Sequence, residues 1–168
     1  MMALPAIDLA GPGQELNGPS VAALCLLLVL CVAIAIIDWR HRIIPDGCNA
    51  AVAALGLAVA ATTGTDRFVS AALQGLLVFA LFWSVRRLYR ALRPVHGLGL
   101  GDVKFMGAAG TWIGLSGVAP LILVACTTAL AFIGVEMCRG KTISGRFAIP
   151  FGPFLVLGLV VVLGSSLT

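Results

Sequence analysis

Charge is what this sequence has least of. Of 168 residues, 11 are Lys or Arg and 7 are Asp or Glu, so that 11% of the chain is charged, against about 25% in an ordinary soluble domain. With 60% hydrophobic residues and a mean hydropathy of +1.08, that scarcity excludes a soluble globular domain, a disordered chain and a DNA-binding module. The formal charge of +4 therefore points to no nucleic-acid partner; in a membrane protein the position of charge matters more than its sum. Clustered thiols are also lacking. The five cysteines (Cys25, Cys31, Cys48, Cys126, Cys138) are scattered, with no CxxC and no Cys/His cluster. This excludes a structural zinc site and a disulfide framework and leaves free thiols in apolar runs. Finally, no basic residue precedes the first apolar run, which follows Asp8 and Glu15 instead. A cleaved signal peptide needs a positive amino-terminal region, so residues 1–20 read as a short extracytoplasmic tail.

What is present is a series of apolar runs. A spanning helix takes roughly 20 apolar residues, and the pattern predicts an all-α, polytopic six-helix transmembrane bundle with approximate spans 21–38, 47–63, 68–85, 103–117, 119–137 and 149–167, forming one domain over 21–168. The stretch Phe105 to Val135 carries no charge and is too long for one crossing at about 1.5 Å per residue. Its middle, Gly114-Leu-Ser116-Gly117 followed by Pro120, reads as a tight turn between two helices. In this layout ten of the eleven basic residues lie in the loops between spans 1 and 2, 3 and 4, and 5 and 6, and only Arg67 lies opposite. The positive-inside rule puts those loops in the cytoplasm and both termini outside. Gly107, Gly110, Gly114 and Gly117 recur at helical spacing and make a face on which helices pack closely in lipid.

The placement of acids is the sharpest chemical signal. Asp38 ends the first run and Asp102 opens the fourth, both on the expected cytoplasmic side. A carboxylate beside hydrocarbon is costly and has a partner or a task. Two such groups held together share a proton: one stays ionised and can activate water, while the other stays protonated and can polarise a carbonyl. Spacing alone leaves other readings open. Asp38 could pair with Arg40 or Arg42 and Asp102 with Lys104 as solvated interface charges, or the two acids could serve a small proton-coupled transporter.

The local sequences discriminate further. Gly99-Leu-Gly101-Asp102-Val103-Lys104 resembles the GxGD motif of the prepilin peptidase (type IV leader peptidase) family of membrane aspartic peptidases. Asp38-Trp-Arg-His-Arg-Ile-Ile-Pro45-Asp46 resembles that family's first segment, and Ile149-Pro150-Phe151-Gly152-Pro153-Phe154 its late IPFGPF segment. The resemblance runs from about Val21 to Leu167. It implies that Asp38 and Asp102 are the catalytic pair, with Gly99, Gly101, Lys104, Asp46, Pro45, Pro150, Gly152 and Pro153 in support. Asp46 matches a position that is Asp or Asn, and could serve as a polar acceptor or as the N-cap of the second span. Lys104 could orient Asp102, lower its pKa or face phospholipid.

The resemblance further implies a leader endopeptidase without metal or cofactor. Its substrates would be prepilins or pilin-like proteins, cut between a short basic leader and an apolar helix at the cytoplasmic membrane face. Its other partners would be membrane lipid and pilus-assembly machinery, and the stretch Gly97 to Gly101 its mobile element. Family members that also N-methylate carry an additional cytoplasmic domain with paired CxxC motifs. The present sequence lacks these and resembles the short, peptidase-only form of Flp (tight-adherence) pili. The alternative within the family is a catalytically silent pilus-assembly scaffold. The remaining polar residues read as interfacial. His41 and His96 are polar border groups, Arg86, Arg87, Arg90 and Arg93 set topology and meet anionic lipid, and so do Arg139, Lys141 and Arg146. Trp39, Trp83 and Trp112 read as belt residues, and Glu136 is spaced to pair with Arg139.

Overall fold

A computed structural model describes residues 18–92, 98–140 and 150–166. Among these residues the structure is helical, with six helices and no strand. They are α1 (Gly18–His41), α2 (Asp46–Thr63), α3 (Thr65–Leu92), α4 (Leu100–Ile113), α5 (Val118–Cys138) and α6 (Gly152–Ser165). The tail residues Asp8 and Glu15, and Arg93, His96, Gly97, Lys141, Arg146 and Ile149, lie outside the described residues.

α1, α2, α3 and α5 are each long and apolar enough to cross a membrane. α4 and α6 have 14 residues each, about 21 Å of helix against a hydrocarbon core of about 30 Å. The outer surface is apolar: Val29, Leu76, Leu123 and Leu130 are 63–66% exposed, as expected of side chains that face lipid. The molecule is an all-helical, polytopic membrane bundle.

Several helix ends differ from the sequence reading, and two of them carry basic residues. α1 does not stop at Asp38 but carries Trp39, Arg40 and His41 on its last turn. None of these residues breaks a helix. The chain leaves the axis at Arg42, whose φ of 56° lets its N–H bond back to the Asp38 carbonyl at 2.8 Å, and Pro45 then forbids continuation. Similarly α3 runs on to Leu92, so Arg86, Arg87 and Arg90 are helical and not part of a loop. Arg, Leu and Ala are good helix formers whatever the solvent. The expected turn at Gly114–Gly117 is present, with Gly114 at φ 63° and its N–H bonded to the Gly110 carbonyl at 3.1 Å.

α4 is the axis of the bundle. Val103 and every residue from Phe105 to Ile113 are buried, because α2, α3, α5 and α6 all pack on it. Lipid offers no area-burial drive between helices, so close approach of small residues takes its place. A Cβ on Gly110 would sit 3.0 Å from the Val78 Cβ, and one on Gly75 would sit 3.0 Å from the Gly107 carbonyl oxygen. On the other side, the Trp112 indole N–H donates to the Val52 carbonyl of α2 at 2.9 Å. Trp112 is fully buried and is a core residue, contrary to its reading as a belt residue. α4 is thereby clamped between α2 and α3, and its first turn is held where α1, α2 and α6 also end.

Candidate active site

Asp38 lies in the last turn of α1 and is 5% exposed. Its Oδ2 accepts the backbone N–H of Gly152 at 2.8 Å. Gly152 is the first residue of α6, where backbone N–H groups have no partner within the helix and the helix field favours a negative charge. Pro153 follows in that first turn, where a residue without an N–H loses no helix bond. The Ile-Pro-Phe-Gly-Pro segment therefore makes a carboxylate seat, and only glycine fits there. A Cβ at Gly152 would lie 2.7 Å from Oδ2 and 3.0 Å from the Cβ of Asp38.

Asp102 is held in a parallel way. Gly99 is the N-cap of α4, with extended backbone at φ −64° and ψ 145°. Asp102 sits three residues into the helix with its carboxyl against the Gly99 backbone, whose N–H favours the ionised form. This is the half of a capping box in which an acid at the third helical position reaches back to the N-cap N–H. A Cβ on Gly99 would be 2.8 Å from the Asp102 Oδ2. The second motif glycine answers to a different neighbour: a Cβ on Gly101 would be 3.1 Å from that of Ile44, in the loop after α1. The GxGD spacing thus seats one acid and lets the α1–α2 loop close over it.

Both aspartates line one open cavity of about 800 Å³, with Arg42, Leu98, Pro150 and Phe151 among the walls. Asp102 precedes the span expected at 103–117, and its carboxyl is raised to about 6. Burial is the larger cause and the Asp38 charge the second, and the Gly99 bond opposes both. A carboxyl that holds its proton to a higher pH than an ordinary aspartate, beside a second acid, can donate while its neighbour accepts.

Of the supporting residues, Lys104 does not pair with Asp102. Its Nζ donates to the Asp46 Oδ2 at 2.6 Å, on the cavity rim. Asp46 is likewise no N-cap: the N-cap of α2 is Pro45, without a side-chain cap bond. Asp46 lies in the first helical turn, where an acid meets the positive end of the helix. Glu136 accepts from Arg139 at 3.3 Å, as its spacing suggests. His41 is exposed on α1 and is not among the cavity walls. Asn49 is a residue that the sequence reading missed. Buried on α2, it donates through Nδ2 to the Gly101 carbonyl at 3.4 Å. The signal for it was its place on the same helix face as Asp46, three residues on. Among the described residues, no group of three or more His, Cys, Asp or Glu side chains is placed to hold a metal ion.

Residues 25–134 match the type IV leader peptidase family. The chain is 34% identical over 155 residues to the prepilin leader peptidase/N-methyltransferase of Burkholderia pseudomallei strain 1026b, covering 89% of this chain and 49% of that protein. It is 31% identical over 145 residues to the leader peptidase HopD of Escherichia coli, covering 84% of this chain and 93% of that protein. Against the prepilin leader peptidase/N-methyltransferase of Escherichia coli K12 the identity is 29% over 143 residues, covering 84% and 62%. No solved structure matches the chain. The chain spans about half the length of the first curated relatives it matches.

Proposed function

The chain belongs to the type IV leader peptidase family, and on that premise we propose that it is an aspartic endopeptidase that removes the short basic leader of a prepilin or pilin-like protein. One observation carries the reading. Two acids from different helices line one cavity, each against a glycine that leaves no room for a side chain. A proton-holding Asp102 and an Asp38 oriented by the α6 N-terminus divide the labour of amide hydrolysis. Asp38 takes a proton from water as the oxygen attacks the scissile carbonyl, and Asp102 donates to the carbonyl oxygen. The roles reverse as the amine leaves, so the pair returns to its starting state. The two acids titrate as a unit.

The finer features follow the same reading. The site faces the cytoplasm and both termini lie outside, because ten of the eleven basic residues fall in sequence between spans 1 and 2, 3 and 4, and 5 and 6 or at the borders of those spans, on the site's side. The membrane is then the bacterial inner membrane, and the partners besides the prepilin are lipid and pilus-assembly machinery, of the Flp type. The chain spans nearly all of a relative named as a leader peptidase and about half of one named as a prepilin leader peptidase/N-methyltransferase. The apolar helix of the substrate packs beside the bundle, and the leader enters the open cavity.

The test is co-expression with a candidate prepilin, followed by gel shift and amino-terminal sequencing, using wild type, Asp38→Asn and Asp102→Asn at matched membrane levels. Wild type shortens the precursor, and each variant loses on the order of 10²–10⁴-fold in rate. Full processing by either variant overturns the two-aspartate assignment. An intact precursor with wild type, across every pilin-like candidate, overturns the peptidase reading.

A further inference from the structure

The peptide joining Leu98 to Gly99 lies between a guanidinium and a carboxyl. Arg86, twelve residues earlier on α3, donates its Nε–H to the Leu98 carbonyl at 3.1 Å. On the other side, the Asp102 carboxyl lies against Gly99, with Oδ2 2.8 Å from where a Cβ would stand, and the Gly99 N–H favours its ionised form. Described peptide bonds are all trans, and in a trans unit the carbonyl and the N–H point in opposite directions across one plane. A guanidinium thus holds one end of a rigid group whose other end lies against an active-site acid.

The grip has a physical purpose. Gly99 must be glycine because Asp102 occupies the space of a Cβ, but glycine also leaves the backbone free to rotate. As the N-cap of α4, Gly99 has no helical acceptor for its N–H. Nothing intrinsic to the motif therefore fixes the plane of this peptide. Arg86 is half-buried, unlike the exposed Arg87 and Arg90 on the same helix end, and Arg87 lies over the Trp83 ring at 5.5 Å. A cation on the carbonyl also polarises the amide, which strengthens its N–H as a donor.

We propose that Arg86 is a positioning residue for Asp102, fixing the Leu98–Gly99 peptide so that its N–H stays aimed at the carboxyl. The inference rests on the reading of Asp102 as an active-site acid. Asp38, Arg42, Asp46 and Lys104 line the same cavity and are unchanged in every variant below.

The experiment is an infrared titration of the Asp102 carboxyl in the full chain in lipid nanodiscs, with the band assigned by its loss in Asp102→Asn. Because the Gly99 bond favours the ionised form, Arg86→Met raises the titration midpoint, with a change of roughly threefold or more in the protonation constant. Arg86→Lys, which restores a cationic donor, returns most of that change. Arg90→Gln leaves the midpoint in place. On a cleaved prepilin, Arg86→Met lowers kcat and leaves KM within about twofold, the pattern of a lost transition-state interaction. A folded Arg86→Met protein with the wild-type midpoint overturns the proposal, as does an equal shift in Arg90→Gln. If Arg86→Met does not accumulate, Arg86→Gln carries the same expectation with a smaller shift. The titration needs no substrate. A shifted midpoint in a chain that cleaves no prepilin leaves Arg86 in place and removes only the peptidase reading.

Discussion

At Gly152 a hydrogen atom stands where any other residue would carry carbon, 2.7 Å from the Asp38 carboxylate. Gly152→Ala must push the acid off the α6 N-terminus, because the obstructing atoms belong to the Asp38 side chain itself. Prepilin processing is expected to fall by roughly the 10²-fold that misplacement of a reacting group costs. Gly164→Ala, on the same helix with nothing within 4 Å of the added methyl, leaves it unchanged. A precursor gel shift with both variants at matched level is the check, and equal processing would remove the seat from the mechanism. Asp102 permits a second measurement. Its carboxyl is held up to about 6 first by burial and then by the Asp38 charge, so it keeps its proton below that pH and loses it as the pH rises. Asp38→Asn removes the like charge, which lets the proton leave at lower pH. Burial remains, so the midpoint falls but stays above the ordinary aspartate value of about 3.9. Infrared titration reads this directly, and a midpoint that rises or stays put means the two acids do not sense each other.

Helices set where these residues can be. α4 is too short to reach across a bilayer alone, and nearly its whole length is buried, so its position depends on its neighbours and not on lipid. Gly75 and Gly107 are the close approach between α3 and α4. Gly75→Val sets a Cβ against Thr111 and the Gly107 carbonyl, and backbone cannot yield as a flexible side chain can. The expected loss is about 1–3 kcal/mol, the range for overpacking, seen as a lower unfolding temperature in detergent; an unchanged temperature would mean that the α3–α4 contact is loose. The end of α1 makes the opposite prediction. Arg42 is held at φ 56°, a region that costs a side-chain-bearing residue about 1–2 kcal/mol and glycine almost nothing. Arg42→Gly raises stability by up to about 1 kcal/mol once the greater freedom of glycine in the unfolded chain is counted. Thermal unfolding of the two forms in one detergent checks it, and a clear loss would mean that the Arg42 side chain contributes more than its backbone costs.

For the whole molecule, the asymmetry of charge is the controlling feature. Arg67 and Asp66 open α3 at the end remote from the cavity, while Arg40, Arg86 and Lys104 lie toward the cavity end of α1, α3 and α4, and Arg42 follows α1 as a cavity wall. Alkaline phosphatase fused after Thr168 should be active, because both termini lie outside under the proposed orientation, and a fusion in the loop after His41 should be inactive. The reverse pattern would turn the site outward and remove any access to a cytoplasmic leader. The apolar exterior and the open cavity at one end fit the proposed reading, in which the substrate is met sideways in the membrane and cut at its border.

Composition alone determined that the chain is an all-helical membrane protein, because so little charge and so many long apolar runs admit no other solvent. The resemblance of three segments in order pointed to Asp38 and Asp102, and the relation of Gly99 and Gly101 to Asp102 was legible because it lies within one turn. The tertiary structure decided everything that joins distant parts of the chain. Lys104 meets Asp46 and not Asp102, Asp38 meets Gly152, Asn49 meets Gly101, and Arg86 leaves the charge run to hold the Leu98 carbonyl. The reason is physical. A helix fixes its own neighbours three and four residues away, but which ends of six helices come together depends on the packing of glycines and Trp112 around α4, and no local spacing records that packing.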